Sequence, residues 1–179
     1  TNRCMLGGMI GNNSCGIFSI KYQTTREHIL EIDAVLSDGS RATFRPLSEQ
    51  ELEEKMQLES LEGYIYREII TLVREHREAI LANYPHPDII RRNTGYALDR
   101  LCEMQPFDPD GRPFNMAELL CGSEGTLAMT ASAKVRLLPR DSESIVIVPH
   151  FSTLRKAMEA TVEIVKEDPA AVELVDDII

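Results

Sequence analysis

The chain has 179 residues and a formal net charge of −10, from 29 acidic and 19 basic side chains. This length corresponds to one domain, or to one domain and part of another. The acidic excess, without a basic cluster, argues against nucleic acid or an anionic membrane surface as the main partner. The longest apolar runs are far shorter than the roughly 20 residues that a membrane-spanning helix needs, so no membrane span is expected.

The first residues contain neither a Met nor the pattern of a signal peptide. They lead directly into a glycine-rich stretch, which predicts that the chain is part of a longer, cytoplasmic protein. The four cysteines form no C-x-x-C pair, and no His lies at a metal-ligand spacing from them. We therefore expect reduced thiols and no metal site. The cysteines are Cys4, Cys15, Cys102 and Cys121.

The first predicted feature along the chain is the glycine-rich segment 7–16, GGMIGNNSCG. Its glycines predict a tight loop or a short helical turn whose backbone a ligand can approach closely. Asn12, Asn13 and Ser14 add short amide and hydroxyl groups. Free backbone N–H groups in such a loop suit an anion such as a pyrophosphate. The spacing matches neither G-x-G-x-x-G nor a Walker sequence, so a purely structural turn is an equal alternative.

A β-hairpin is predicted next. Residues 30–36 alternate between apolar and polar side chains, residues 37–40 (SDGS) form a turn signal, and residues 41–47 continue as a second strand.

Two helices are predicted after the hairpin. Ser48 and Glu51 have the spacing of a capping box, which predicts the start of an acidic helix or of a mobile acidic insertion. Apolar positions at helical spacing from Tyr64 predict a second helix that ends before Pro85. His76 lies on the apolar face of that helix and is expected to pack or to extend to the surface rather than to react.

The second half of the chain begins with a predicted irregular segment, residues 83–115, which five prolines interrupt. A long segment of this kind inside a compact domain is often functional. Residues 121–139 predict a glycine turn that leads into a strand. The segments 145–151 and 171–177 are predicted strands on either side of a helix capped by Ser152. This β-α-β order predicts the opening of a second domain.

The sequence GSEGT at 122–126 is the second candidate site. It lacks the G-x-S-x-G order of a nucleophile elbow, because Gly122 directly precedes Ser123. The histidines are scattered over different predicted elements, so a hydrolase that uses Ser123 is a minor alternative without positive support. Carboxylates such as Glu118 and Glu124 are uninformative as an acid/base pair in so acidic a chain.

Several stretches follow one another in a specific order: 7–16, Tyr22, 26–40, 93–101 and 122–139. Together they resemble the FAD-linked oxidases of the vanillyl-alcohol-oxidase type, and within that family the D-lactate and D-2-hydroxyglutarate dehydrogenases. The resemblance implies an α+β fold. Residues 1–140 would be the second subdomain of a PCMH-type FAD-binding domain, and residues 141–179 the beginning of the substrate domain.

The resemblance also implies the cofactor FAD and a small-molecule D-2-hydroxy acid substrate, which is oxidised to the 2-oxo acid by hydride transfer to the flavin. Residues 93–96 would support the cofactor pocket, whereas the family's catalytic base and metal ligands would lie beyond Ile179. The catalytic residues and the electron acceptor are therefore not assigned. The predicted FAD contacts are Gly8, Asn12, Asn13, Ser14, Gly16, Gly122, Glu124, Gly125 and Thr126.

The main alternative is a non-catalytic binding or assembly module that keeps the fold without redox activity. It stays open because the other half of the family's cofactor cradle lies outside this sequence. For the same reason, we expect these residues alone to bind FAD weakly and to self-associate through exposed apolar surface.

Overall fold

The computed structural model of the protein describes residues 3–86, 88–89, 91–92, 95–139 and 143–176. Within these residues the chain combines a small antiparallel sheet with α-helices, in agreement with the predicted α+β class. None of the described helices is both long and apolar enough to cross a membrane.

The sheet has three antiparallel strands, in the order β2-β1-β3. The central strand β1 spans Ile29–Val35 and pairs with β2, Arg41–Phe44, so that Ile32 lies opposite Phe44. These two strands confirm the predicted hairpin, although β2 ends before the predicted residue 47. The strand β3, Met129–Val135, pairs with the other edge of β1 and brings the second candidate segment to the sheet.

The described helices comprise several short ones and one long helix. The α-helices are α1 (Leu6–Gly11), α2 (Ser19–Tyr22), α3 (Glu49–Met56), α4 (Leu61–Asn83), α5 (Leu98–Cys102), α6 (Ala117–Leu120) and α7 (Leu154–Ile164). Two 3-10 turns cover Thr25–His28 and Val165–Glu167. The predicted capping box at the start of α3 is confirmed, because Ser48 and Glu51 each accept a hydrogen bond from the other's backbone N–H.

The core lies between the long helix α4 and the sheet. Tyr66 of α4 is fully buried, and its ring centroid lies 6.1 Å from that of Phe44 and 6.3 Å from that of Phe114. Further buried positions of α4 continue this face, whereas Leu72 and His76 are exposed. The predicted helix is therefore confirmed, and His76 lies at the surface, one of the two placements expected for it. The buried face is rotated relative to the predicted apolar positions, which were Ile65, Ile69, Leu72, Val73, His76 and Ile80.

Two predicted strands are wrong. Residues 145–151 and the described residues of 171–177 have no strand structure, and Asp177 lies outside the described residues. Ile145 is 89% exposed, as expected of apolar residues that face no neighbouring element. A strand needs a partner for its backbone N–H and C=O groups, and no strand of the described residues lies beside either segment.

Smaller corrections concern element boundaries. The helix α5 lies within the segment predicted to be irregular, β3 ends at Val135 rather than at residue 139, and Thr153 instead of Ser152 caps α7. The predicted domain boundary between residues 140 and 141 lies outside the described residues.

Candidate functional site

The two glycine-rich candidate segments lie in direct contact. We call residues 6–16, which comprise α1 and the turn that follows it, the first loop, and residues 121–126 the second loop. The N–H of Gly122 donates to the carbonyl of Ile10 at 2.9 Å, and the N–H of Glu124 donates to the carbonyl of Gly11 at 2.8 Å. Both carbonyls are at the end of α1, where a helix lacks internal partners for its last C=O groups. The second loop supplies those partners, so the predicted site residues come together in space.

Asn13 is the buried centre of this contact. Its backbone has a φ of 49°, a left-handed conformation that asparagine tolerates. Its Oδ1 accepts hydrogen bonds from the Thr24 hydroxyl at 3.0 Å, from the N–H of Arg26 at 2.8 Å and from the Cys121 thiol at 3.7 Å. The carboxamide oxygen of Asn13 is thus used inside the protein, and a cofactor contact by this residue stays a prediction.

The buried side chain of Arg26 packs against the second loop at Gly122. It is only 5% exposed, and its guanidinium donates through Nε to the carbonyl of Glu118 at 3.0 Å and through Nη2 to the carbonyl of Cys121 at 2.6 Å. Removal from water lowers the pKa of the Arg26 guanidinium from its ordinary value. Sequence analysis missed this residue, because an arginine before an apolar strand looks the same whether it faces solvent or the interior.

Three residues of the second loop have a positive φ, in the left-handed region that favours glycine. Gly122, Glu124 and Gly125 have φ values of 94°, 54° and 73°. A Cβ on Gly122 would lie 2.6 Å from Nη2 of Arg26, whereas a Cβ on Gly125 would meet no atom within 4 Å. The N–H of Gly125 has no hydrogen-bond partner among the described residues. Packing against Arg26 therefore requires a glycine at position 122. At Gly125 the backbone N–H is available to a ligand.

A chain of hydroxyl groups holds the end of the second loop. The Thr126 hydroxyl donates to the carbonyl of Ser123 at 2.5 Å and lies 2.8 Å from the Tyr96 hydroxyl. The Tyr84 hydroxyl in turn donates to the carbonyl of Tyr96 at 2.5 Å. Tyr96 of the predicted supporting stretch 93–96 therefore contacts a predicted cofactor residue, while positions 93 and 94 lie outside the described residues.

Ser123 is poorly placed to act as a nucleophile. It is only 5% exposed, and within the described part of the chain no histidine forms a hydrogen bond with its hydroxyl. The structure gives no support to the hydrolase alternative.

The remaining predicted residues lie on the first loop. Gly8 and Gly16 are exposed, and a Cβ on either would meet no atom within 4 Å. The Ser14 carbonyl accepts hydrogen bonds from both the N–H and the hydroxyl of Thr25, and the Ser14 hydroxyl donates to Asn12 at 2.6 Å. These contacts fix the backbone of the first loop and leave its glycine face open.

A buried charge network lies under the second loop. The Glu118 carboxylate forms a two-point ion pair with Arg112 and lies 3.6 Å from Nε of Arg100. Arg92 pairs with Asp99 at 2.9 Å. Burying these charges is tolerated because each carboxylate has a guanidinium partner.

The described residues contain two cavities of note, and neither could hold a flavin ring against the predicted cofactor residues. One has about 20 Å³, enough for a single water molecule, and lies among charged side chains. Its lining comprises Asn13, Thr24, Arg26, Glu27, Tyr84, Arg92, Gly95, Ala97, Asp99 and Arg100. The other, of about 320 Å³, lies between α3 and residues 105–114, and none of the predicted cofactor residues lines it. The glycine positions of the two loops are open to solvent instead, at Gly8, Gly16 and Gly125.

No metal centre is evident in the described residues, since they contain no group of three or more His, Cys, Asp or Glu side chains placed to hold an ion.

Comparison with known proteins shows that the chain is similar to part of several dehydrogenases. It is 34% identical over 176 residues to a D-2-hydroxyglutarate dehydrogenase of Pantoea ananatis and 32% identical over 178 residues to one of Pseudomonas putida. Each match covers 98% of this chain. The chain is homologous to one segment of the D-2-hydroxyglutarate dehydrogenases. A D-lactate dehydrogenase of Archaeoglobus fulgidus is 26% identical over 96% of this chain.

The homology to D-2-hydroxyglutarate and D-lactate dehydrogenases confirms the resemblance to that branch found in the sequence. The chain spans 16% and 17% of the length of the two D-2-hydroxyglutarate dehydrogenases and 26% of the D-lactate dehydrogenase. Neither a family model nor a solved structure matches the chain. The names of these relatives specify no cofactor, so FAD stays a prediction.

Proposed function

We propose that this chain is part of a FAD-dependent dehydrogenase that oxidises a D-2-hydroxy acid, of the D-2-hydroxyglutarate or D-lactate type, to the 2-oxo acid. One observation carries the proposal: the two loops expected to face the flavin lie side by side, in a chain homologous to D-2-hydroxyglutarate dehydrogenases. The proposal includes the PCMH-type assignment, with residues 1–140 in the FAD-binding domain and residues 141–179 in the substrate domain.

The chemistry of the two loops supports FAD as the ligand. Gly8, Gly16 and Gly125 present backbone without a Cβ in open space, and the N–H of Gly125 has no partner in the described residues. Backbone N–H groups of this kind bind phosphate and carbonyl oxygens through local dipoles, so the negative net charge of the chain does not oppose them. At these open glycine positions a planar ring can also approach the backbone closely.

The residues of this chain would bind and orient the cofactor. FAD supplies the hydride acceptor when it is bound, and the protein supplies position, electrostatics and exclusion of water. The open amide of Gly125 would donate to an oxygen or nitrogen of FAD. Tyr96 and Thr126 would hold the end of the second loop through their hydroxyl contact. The proton acceptor for the substrate hydroxyl is not assigned to any residue of this chain.

The decisive experiment is an absorbance spectrum of the intact protein, followed by anaerobic addition of D-2-hydroxy acids. We expect flavin bands that one of the D acids bleaches and that its L enantiomer leaves unchanged. Bound flavin that no D-2-hydroxy acid reduces would overturn the proposed substrate class. A colourless protein that takes up no added FAD would overturn the proposed function and favour the non-catalytic module.

A further inference from the structure

The burial of Arg26 is not explained by packing alone. Moving a guanidinium out of water costs free energy, and an apolar side chain of similar length would fill the same volume without that cost. Arg26 is 5% exposed, yet it forms no ion pair with any carboxylate of the described residues. Its guanidinium donates hydrogen bonds to two backbone carbonyls instead.

Those two carbonyls are at the start of the second loop. Glu118 belongs to α6 and Cys121 follows its last residue, so their C=O groups lie at a helix end where internal partners are lacking. A cation at this end of a helix is favourable, and one guanidinium satisfies both acceptors in a fixed geometry. The direction in which the chain leaves α6 is therefore tied to Arg26.

The same residue is tied to the first loop. The N–H of Arg26 donates to Oδ1 of Asn13, whose side chain also accepts from the Cys121 thiol. Gly122 packs directly on the guanidinium, since a Cβ there would lie 2.6 Å from Nη2. Backbone and side chain of Arg26 thus connect both loops.

We propose that Arg26 is a positioning residue for FAD, holding the second loop in register with the first so that the open backbone around Gly125 faces the cofactor. This inference rests on the proposed function. Arg26 itself would not contact the reacting atoms. Its effect would pass through the carbonyls of Glu118 and Cys121.

The test compares Arg26→Met and Arg26→Lys in the intact protein with the control Arg112→Met. Arg112 binds the side chain of Glu118 rather than its carbonyl, so the control removes a partly buried cation without releasing the second loop. FAD affinity is measured by quenching of free FAD fluorescence, and hydrogen exchange reports on the amides of residues 122–126. Thermal unfolding shows whether each variant is folded.

We expect Arg26→Met to weaken FAD binding by about tenfold or more, because two charge-assisted hydrogen bonds are lost. Arg26→Lys retains one donor group and should show a smaller loss, and Arg112→Met should change affinity by less than about twofold. Faster exchange at 122–126 should accompany the weaker binding. If Arg26→Met does not fold, the FAD affinity and hydrogen exchange of Arg26→Lys test the inference instead. Wild-type affinity in a folded Arg26 variant, or an equal loss in Arg112→Met, would overturn the inference.

A double-mutant cycle with Gly122→Ala supplies a second readout. In the wild-type background the new Cβ meets Nη2 of Arg26, whereas in Arg26→Met that contact is removed and only the backbone strain remains. Gly122→Ala should therefore accelerate exchange at 122–126 less in Arg26→Met than in wild type, and strictly additive effects would contradict the proposal. If wild-type protein binds no FAD, the proposed function fails, and hydrogen exchange still reports separately whether Arg26 holds the loop.

Discussion

The amide N–H of Gly122 donates a hydrogen bond to the carbonyl oxygen of Ile10 at 2.9 Å. This bond joins the end of α1 to the start of the second loop, so two segments far apart in the sequence share one small surface. At the exposed glycines Gly8, Gly16 and Gly125 of these loops a Cβ would meet no atom within 4 Å, so substitution there creates no clash with the core.

Gly125→Val is expected to weaken FAD binding to the intact protein, because the side chain fills the open space at the proposed cofactor face. Gly39→Val is the matched control: Gly39 also has a positive φ, 85° against 73° for Gly125, and its Cβ would also meet no atom within 4 Å. Both variants should lose similar stability, about 1–2 kcal/mol, from backbone strain. FAD titration checks the difference, and equal affinities in the two variants would argue against a cofactor at the second loop.

Glu51→Gln is expected to destabilise the protein at neutral pH. The hydrogen bond from Arg45, together with those from Ser48, lowers the pKa of the Glu51 carboxyl to about 2. Since this pKa lies below the unfolded value of about 4.3, the ionised carboxylate stabilises the fold above that value and loses its effect as the pH falls toward 2.

Urea unfolding of wild type and Glu51→Gln from pH 7 to pH 2.5 checks this expectation. The difference between the two proteins should be largest at pH 7 and shrink below about pH 4.3. Glu53, an exposed carboxylate of the same helix, is the control, and Glu53→Gln should show no comparable difference. A difference for Glu51→Gln that does not change with pH would refute the role of ionisation.

Cys121 is expected to resist alkylation in the folded protein. Burial raises the pKa of its thiol to about 12, so the reactive thiolate is almost absent at pH 8.5. Cys15 is exposed and should react rapidly with iodoacetamide. Mass spectrometry of the labelled peptides distinguishes the two, and labelling in urea should reach both. Equal native labelling rates would show that the second loop opens readily.

Glu118→Gln is expected to cost about 2 kcal/mol or more of unfolding free energy, because it leaves the partly buried Arg112 without its carboxylate partner. Arg100 loses one of three carboxylates and keeps Glu103 and Glu27. Glu163→Gln removes the exposed partner of Lys166 and should cost less than about 0.5 kcal/mol. Urea denaturation measures both. A small effect of Glu118→Gln would mean that the buried network contributes nothing net to stability.

Local signals in the sequence were sufficient for several elements. The turn SDGS between alternating strands, the capping box of Ser48 and Glu51, and the helix that ends before Pro85 each depend on residues close together in the chain. Their outcome is decided by backbone preferences and by hydrogen bonds within a few residues. The predicted elements therefore appear, with shifts of a few residues at their ends.

Local patterns gave wrong predictions where the structure of a segment depends on contacts with residues far away in the sequence. All four of residues 145–148 are β-branched, against three of the seven residues of β1. They nevertheless form no strand, because β1 has two partners and no described strand lies beside residues 145–148. The rotated buried face of α4 has a similar cause. Which apolar residues of an amphipathic helix face the core is decided by what packs against them, here Phe44 and Phe114 beside Tyr66.

The candidate site also has some features that the sequence predicts and others that depend on contacts between distant segments. The two glycine-rich segments could be recognised without a structure, because the conformational freedom of glycine and the short polar side chains near it are properties of single residues. The contact between these segments, the burial of Asn13 between them and the hydrogen bonds of Arg26 to both depend on how the whole chain folds. A charged side chain is normally solvated, and its burial becomes favourable only where the fold brings acceptors from distant segments within hydrogen-bond distance.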